Sequence, residues 1–200
     1  MDHGRHQRPA AARGFTLMEM LVVLGIFSTV VISATDIFMM SSRSQRKVVA
    51  LERAQADARF TMETISRVVR TGQIDYAEMD LSASGPVEAL ALIDSLGRKI
   101  RFFSSTENCA DPVSSPCLRL AVDGGEPVTA TPQGVILRNL RFYVMPDVDP
   151  SVFNSVSGRF EADVQPHVTV VLVLESAGQD PRERSIVYLQ TTTESRGYGR

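Results

Sequence analysis

Few side chains in this 200-residue sequence have a type and spacing suited to chemistry, and the most unusual is a carboxylate, Glu19, set inside an apolar run. His3 and His6 lie near the amino terminus, and His167, at the start of a strand-like stretch, reads as a structural residue rather than a general base. Asp147, Asp149 and Asn154 carry oxygen atoms of the kind calcium takes, but the loop pattern is incomplete. Pro146, Pro150 and the small polar residues around them read as a turn. No nucleophile elbow, phosphate loop or metalloprotease helix is present, so neither an enzyme, a cofactor nor a metal is expected. Cys109 and Cys117, the only two cysteines, are separated by seven residues that include Pro112 and Pro116, with no histidine nearby to suggest zinc. They are either unrelated thiols or a disulfide. The disulfide is the preferred reading, and it requires an oxidising compartment outside the cytosol.

Glu19 owes its interest to the element that must hold it. Between Phe15 and Met40 it and Asp36 are the only charged residues. As a helix these 26 residues reach about 39 Å, enough for a hydrocarbon layer of roughly 30 Å. The charge-free part, Met20 to Thr35, covers about 24 Å, which places both acids near the faces of a bilayer, where a carboxylate costs far less than at mid-depth. A removable secretory signal fits poorly, because a cut after Ala34 leaves Ile32 where a small residue belongs. A plain anchor gives no purpose to an acid so early in the run. Ahead of it stands a short basic leader with Arg5, Arg8 and Arg13, ending at Gly14.

RGFTLMEMLVVLGIF, from Arg13 to Phe27, resembles the class III signal of type IV pilins and of the pseudopilins of type II secretion and DNA-uptake systems. The resemblance implies that a prepilin peptidase cuts after Gly14 and methylates the new amino terminus at Phe15, and that Glu19 is the acid used in assembly. The spacing supports the last point independently, since an amine at Phe15 and the carboxylate four residues on share one helical face. An unpaired carboxylate near the membrane core seeks a cation, its own or a neighbouring subunit's. The sequence departs from many type IV pilins in lacking a proline in the later apolar segment, where Asp36 stands, so the helix is expected to be straighter.

Charge adds little. Three of the 21 basic and one of the 23 acidic residues fall in the leader, leaving 18 and 22, a net charge of −4 that argues against direct nucleic-acid binding. Arg43, Arg46 and Lys47 read either as a solvated juxtamembrane face or as contacts to anionic lipid or to a neighbour's acids.

From Ser41 to Thr71 there is no glycine or proline, and Leu51, Ala54, Ala58, Met62, Ile65 and Val69 form one apolar stripe at helical spacing. The helix is expected to continue to about Arg70, with Gly72 as its stop. Short strands then follow: EALALID and RKIRFF as a hairpin, CLRLAV, Val135 to Met145, and a terminal ribbon of HVTVVLVLES and ERSIVYLQTTT. Ser195 to Arg200 is expected to fray.

The expected fold class is α+β, a long N-terminal transmembrane-to-amphipathic helix packed on a C-terminal antiparallel sheet. The expected divisions are a leader at 1–14, a helix at 15–72 (transmembrane to 40, amphipathic from 41) and a β-rich domain at 73–200. The resemblance implies a minor pilin or pseudopilin in the cytoplasmic membrane, with its C-terminal domain outside the cytoplasm. Its partners would be prepilin peptidase, other pilin or pseudopilin subunits and membrane lipid. The alternative is a bitopic membrane-anchored binding domain that joins no filament.

Overall fold

The computed structural model describes residues 14–81, 85–109, 115–176 and 184–196. The chain divides into two compact units, one ending at Gln45 and the other beginning at Arg46. Helix α1, Leu17–Thr71, contributes to both.

In the first unit every residue from Gly14 to Ser41 is exposed, including Leu21, Leu24, Ile26, Phe27 and Ile32. Such a stretch has no core of its own to bury it, and the helix is long and apolar enough to cross a membrane. Its hydroxyls are satisfied locally. Ser28 donates to the Leu24 carbonyl at 2.8 Å, Ser33 to Thr29 at 2.9 Å and Thr35 to Val31 at 2.8 Å, while Thr29 donates to both Gly25 and Ile26.

In the second unit the stripe changes partner. Ala54, Ala58, Met62, Ile65 and Val69 are buried in one cluster with strand residues, Leu51 packing at its margin. The stripe begins with two alanines, which let backbones come close, and broadens to Ile65 and Val69, which fill volume. The residue that follows the helix end at Thr71 has no room for a side chain. A Cβ on Gly72 would lie 2.9 Å from the Val68 carbonyl oxygen and 3.1 Å from that of Ile93. Gly72 is thus required by close approach of strand backbone.

The strands are antiparallel throughout. β1 (Gln73–Ile74), β2 (Ala89–Ile93), β3 (Lys99–Ser105), β4 (Cys117–Val122) and β5 (Val128–Thr129) form a sheet in sequential order. A 3-10 turn, Tyr76–Glu78, follows β1. The alternation sends Leu90, Leu92, Ile100, Phe102 and Leu118 into the core and leaves Arg101 and Lys99 outside. β6 (Val135–Met145), β9 (His167–Ser176) and β10 (Ile186–Glu194) make a second sheet in the order β10-β9-β6. β7 (Phe153–Asn154) and β8 (Arg159–Phe160) form a small ribbon, where the Phe153 and Phe160 rings meet edge to face at 5.4 Å.

The expected single sheet is therefore two sheets and a ribbon. The terminal pair is not a free two-stranded ribbon either, because β6 pairs with β9 from Met145↔His167 to Val135↔Ser176, with a bulge between Leu137 and Asn139. A second correction concerns the C-terminus. Ser195 is buried, and its backbone N–H donates to the Pro166 carbonyl at 2.9 Å. Residues 197–200 of the expected tail lie outside the described residues.

Candidate functional site: the amino-terminal segment

The helix starts at a cap. The Thr16 hydroxyl oxygen accepts the Glu19 backbone N–H at 3.2 Å, and the Thr16 carbonyl accepts that of Met20, also at 3.2 Å. Thr16 is thus the N-cap and Glu19 the third helical residue, the Thr-x-x-Glu arrangement that fixes a helix start. The T-x-x-E spacing is a local sequence signal for this cap, and it coexists with the amine-pairing role open to the same Glu19. An acid in the first turn also faces the positive end of the helix dipole. One residue ahead, Phe15 is 75% exposed. A Cβ on Gly14 would meet nothing within 4 Å, so no packing within the described residues calls for glycine there.

Most of the remaining candidates lie in the second unit. Cys109 and Cys117 form a disulfide with Cα atoms 5.8 Å apart. Beside it lies a residue that sequence reasoning missed. Arg119 is buried, and its guanidinium donates to the Asn108 carbonyl at 2.9 Å, the Thr129 hydroxyl at 3.0 Å and the Pro127 carbonyl. It joins the chain before the disulfide loop to β5.

The acidic loop is occupied with its own turns. The Asp149 carboxylate accepts the Ser151 N–H at 2.8 Å and hydroxyl at 2.7 Å, and the Asn154 side-chain oxygen accepts the N–H groups of Val156 and Ser157 at 2.9 and 3.1 Å. Asp147 is exposed. No group of three or more His, Cys, Asp or Glu side chains placed to hold a metal ion occurs among the described residues. His167 Nδ1 lies 3.3 Å from the Gln165 carbonyl. Arg43, Arg46 and Lys47 are exposed on α1.

Each sheet carries an ion pair. Lys99 Nζ is 2.7 Å from Glu78, which holds the Glu78 carboxyl below and the Lys99 ammonium above their usual ranges. Glu175, buried on β9, contacts Arg138 and, at 3.5 Å, Arg184. The hydrogen bond from Arg138 is the main cause that holds its carboxyl below the usual range, against burial.

The family model described as "Prokaryotic N-terminal methylation motif" matches residues 10–35. No curated protein and no solved structure matches the chain. Residues 10–35 carry a class III leader of the type IV pilin and pseudopilin kind, and the N-terminal segment is type IV pilin-like.

Proposed function

We propose that this protein is a minor pilin or pseudopilin subunit: cut after Gly14, methylated on Phe15, and assembled through its N-terminal helix into a type IV pilus or a type II secretion-like pseudopilus. The observation that carries the reading is the order of residues from Gly14 to Val22 within the matched motif. In this reading 1–14 is the leader, 15–72 the helix and 73–200 the β-rich domain. The chain sits once in the cytoplasmic membrane with that domain outside the cytoplasm. Its partners are the prepilin peptidase, other pilin-like subunits and lipid, and it has no catalytic role.

Two physical points support this. Gly14 is a glycine that no atom among the described residues requires, as befits a residue read by an enzyme rather than by the fold. The Thr16 cap lies beyond the proposed cut, so loss of the leader leaves the helix start intact. The new amine at Phe15 then stands at the positive helix end, with Glu19 as the nearest carboxylate in sequence to offset it.

Intact-mass measurement of membrane-extracted protein, made with and without a prepilin peptidase, tests the proposal. The expected product lacks Met1 to Gly14 and carries one added methyl group. A mature chain that still begins at Met1 returns the protein to the alternative of an anchored binding domain.

A further inference from the structure

An unpaired sheet edge presents a row of N–H and C=O groups on which another main chain can form a strand. The edges of the two larger sheets differ in how they are treated. β1 and β5, which end the first sheet, are two residues each. The outer side of β6 is shut by the paired backbone bonds of Val87 and Phe142 and by the Leu137 N–H, which donates to the Pro116 carbonyl. β10, which ends the second sheet, is nine residues long and pairs with β9 without a break in register. From Ser185 to Thr193 it holds no charge, glycine or proline. The usual guards of an edge, a bulge, a proline or a lysine, are missing along it.

The groups that face outward follow from the ends of the strand. The Ser176 N–H donates to the Ser185 carbonyl and the Ser195 N–H to the Pro166 carbonyl, both at 2.9 Å, so Ser185 and Ser195 turn their backbone toward β9. Backbone groups alternate sides, so Val187, Leu189, Thr191 and Thr193 do the same, while Ile186, Tyr188, Gln190 and Thr192 turn theirs away from it. No partner for the N–H and C=O groups of these last four occurs among the described residues. On the core side Val187 and Thr193 are buried, but Leu189 and Thr191 between them are only half-buried. Ile186, Tyr188, Gln190 and Thr192 are exposed on the other side. Glu194, exposed and with no ion pair among the described residues, ends the uncharged tract.

We propose that β10 binds an uncharged extended segment of another protein, which adds antiparallel to the open edge from Thr192 to Ile186 and sets a basic residue opposite Glu194. Only a main chain supplies donors and acceptors at strand spacing, and antiparallel pairing continues the pattern of the sheet. Directly opposed residues share a face, so side chains of the segment beside Leu189 and Thr191 should be apolar and β-branched, covering a margin of the core that β10 leaves half open. A charge inside the tract finds no partner, whereas one at the amino-terminal end of the segment meets Glu194. The inference goes beyond the proposed function, uses the second unit alone and does not depend on the leader.

Full-length protein in detergent micelles, overlaid on an array of short acetylated peptides of varied sequence, is the test. Retained peptides should carry β-branched residues at alternate positions, no internal charge, and Lys or Arg near the amino-terminal end. Glu194→Lys should turn that terminal preference to Asp or Glu. Gln190→Pro removes one outward N–H and leaves the ladder to β9 in place, because proline is tolerated where the N–H of an edge strand faces solvent. It should weaken binding by about tenfold. Hydrogen exchange of the Tyr188 and Gln190 amides should slow when peptide binds. Retention of no peptide, retention without this pattern, an unchanged terminal preference in Glu194→Lys, parent-like binding by Gln190→Pro or unchanged exchange at both amides would each overturn the proposal. Protection of both amides without peptide that is lost on dilution would do so too, by assigning the edge to a second copy of this chain. If Gln190→Pro loses its fold, read as a lowered melting midpoint, the Glu194→Lys array decides.

Discussion

The Ser195 hydroxyl donates a 2.6 Å hydrogen bond to the carbonyl oxygen of Gly72, 123 residues earlier in the chain. The Arg196 N–H donates to the Arg70 carbonyl at 3.1 Å beside it. Carbonyls at a helix end lack intrahelical donors, and here the residues after β10 supply them. The β-rich unit thus closes on the place where α1 stops.

Ser195→Ala should lower unfolding stability by about 1–2 kcal/mol, because the Gly72 carbonyl is left buried without this donor. Gly72→Ala should cost about 1–3 kcal/mol through the clash with two backbone oxygens. Denaturant titration of the two variants checks both values. Parent-like stability of Gly72→Ala would show that β2 can retreat from the helix.

Replacing both Cys109 and Cys117 by alanine should cost about 2.5 kcal/mol by the loop-entropy argument. The parent protein should show the same loss under reducing conditions, read as a lower midpoint in the same titration. Arg119→Met should be destabilising even with the disulfide intact, since it leaves the Asn108 and Pro127 carbonyls without their donor.

Glu175 gives an acid-side dependence. Arg138 holds its folded-state pKa below the ordinary value of 4.5, so its contribution is complete above that pH and is lost as pH falls through the lower folded value. Because Arg138 is half exposed, the effect is small. Glu175→Gln should remove about 1 kcal/mol near neutrality, and the gap from the parent should close only as the pH falls well below 4.5. Thermal melts across that range would contradict this if the gap stayed constant.

Under the proposed function, Glu19→Ala should leave cleavage after Gly14 in place and remove the protein from sheared pili or overproduced pseudopili. Immunoblots of the sheared and membrane fractions read this directly. Incorporation equal to that of the parent would separate the carboxylate from assembly.

The long helix, the antiparallel strands and the disulfide were legible because each rests on local signals: apolar residues at steps of three and four, alternation over short runs, and two cysteines with no competing ligands. What stayed hidden is non-local. β10 is the next strand after β9 in sequence, whereas β6 reaches β9 across a connection that includes β7 and β8, and nothing local announces that pairing. Ser195 looked like a polar tail residue because its acceptor, Gly72, is remote in sequence. Arg119 is the opposite case, a charged residue whose burial depends on carbonyls gathered from two other segments. At Thr16 the signal is local, since cap and acid lie three residues apart, but the same acid also suits an amine at Phe15.

In the apolar half of α1, each hydroxyl of Ser28, Thr29, Ser33 and Thr35 finds its acceptor about one turn back on the same rod. These four side chains carry no polar demand that surroundings must meet. Under the proposed function, such a rod would trade acyl chains for the flanks of other rods without breaking one of those bonds, which leaves shape and the charges near its ends to govern the transfer.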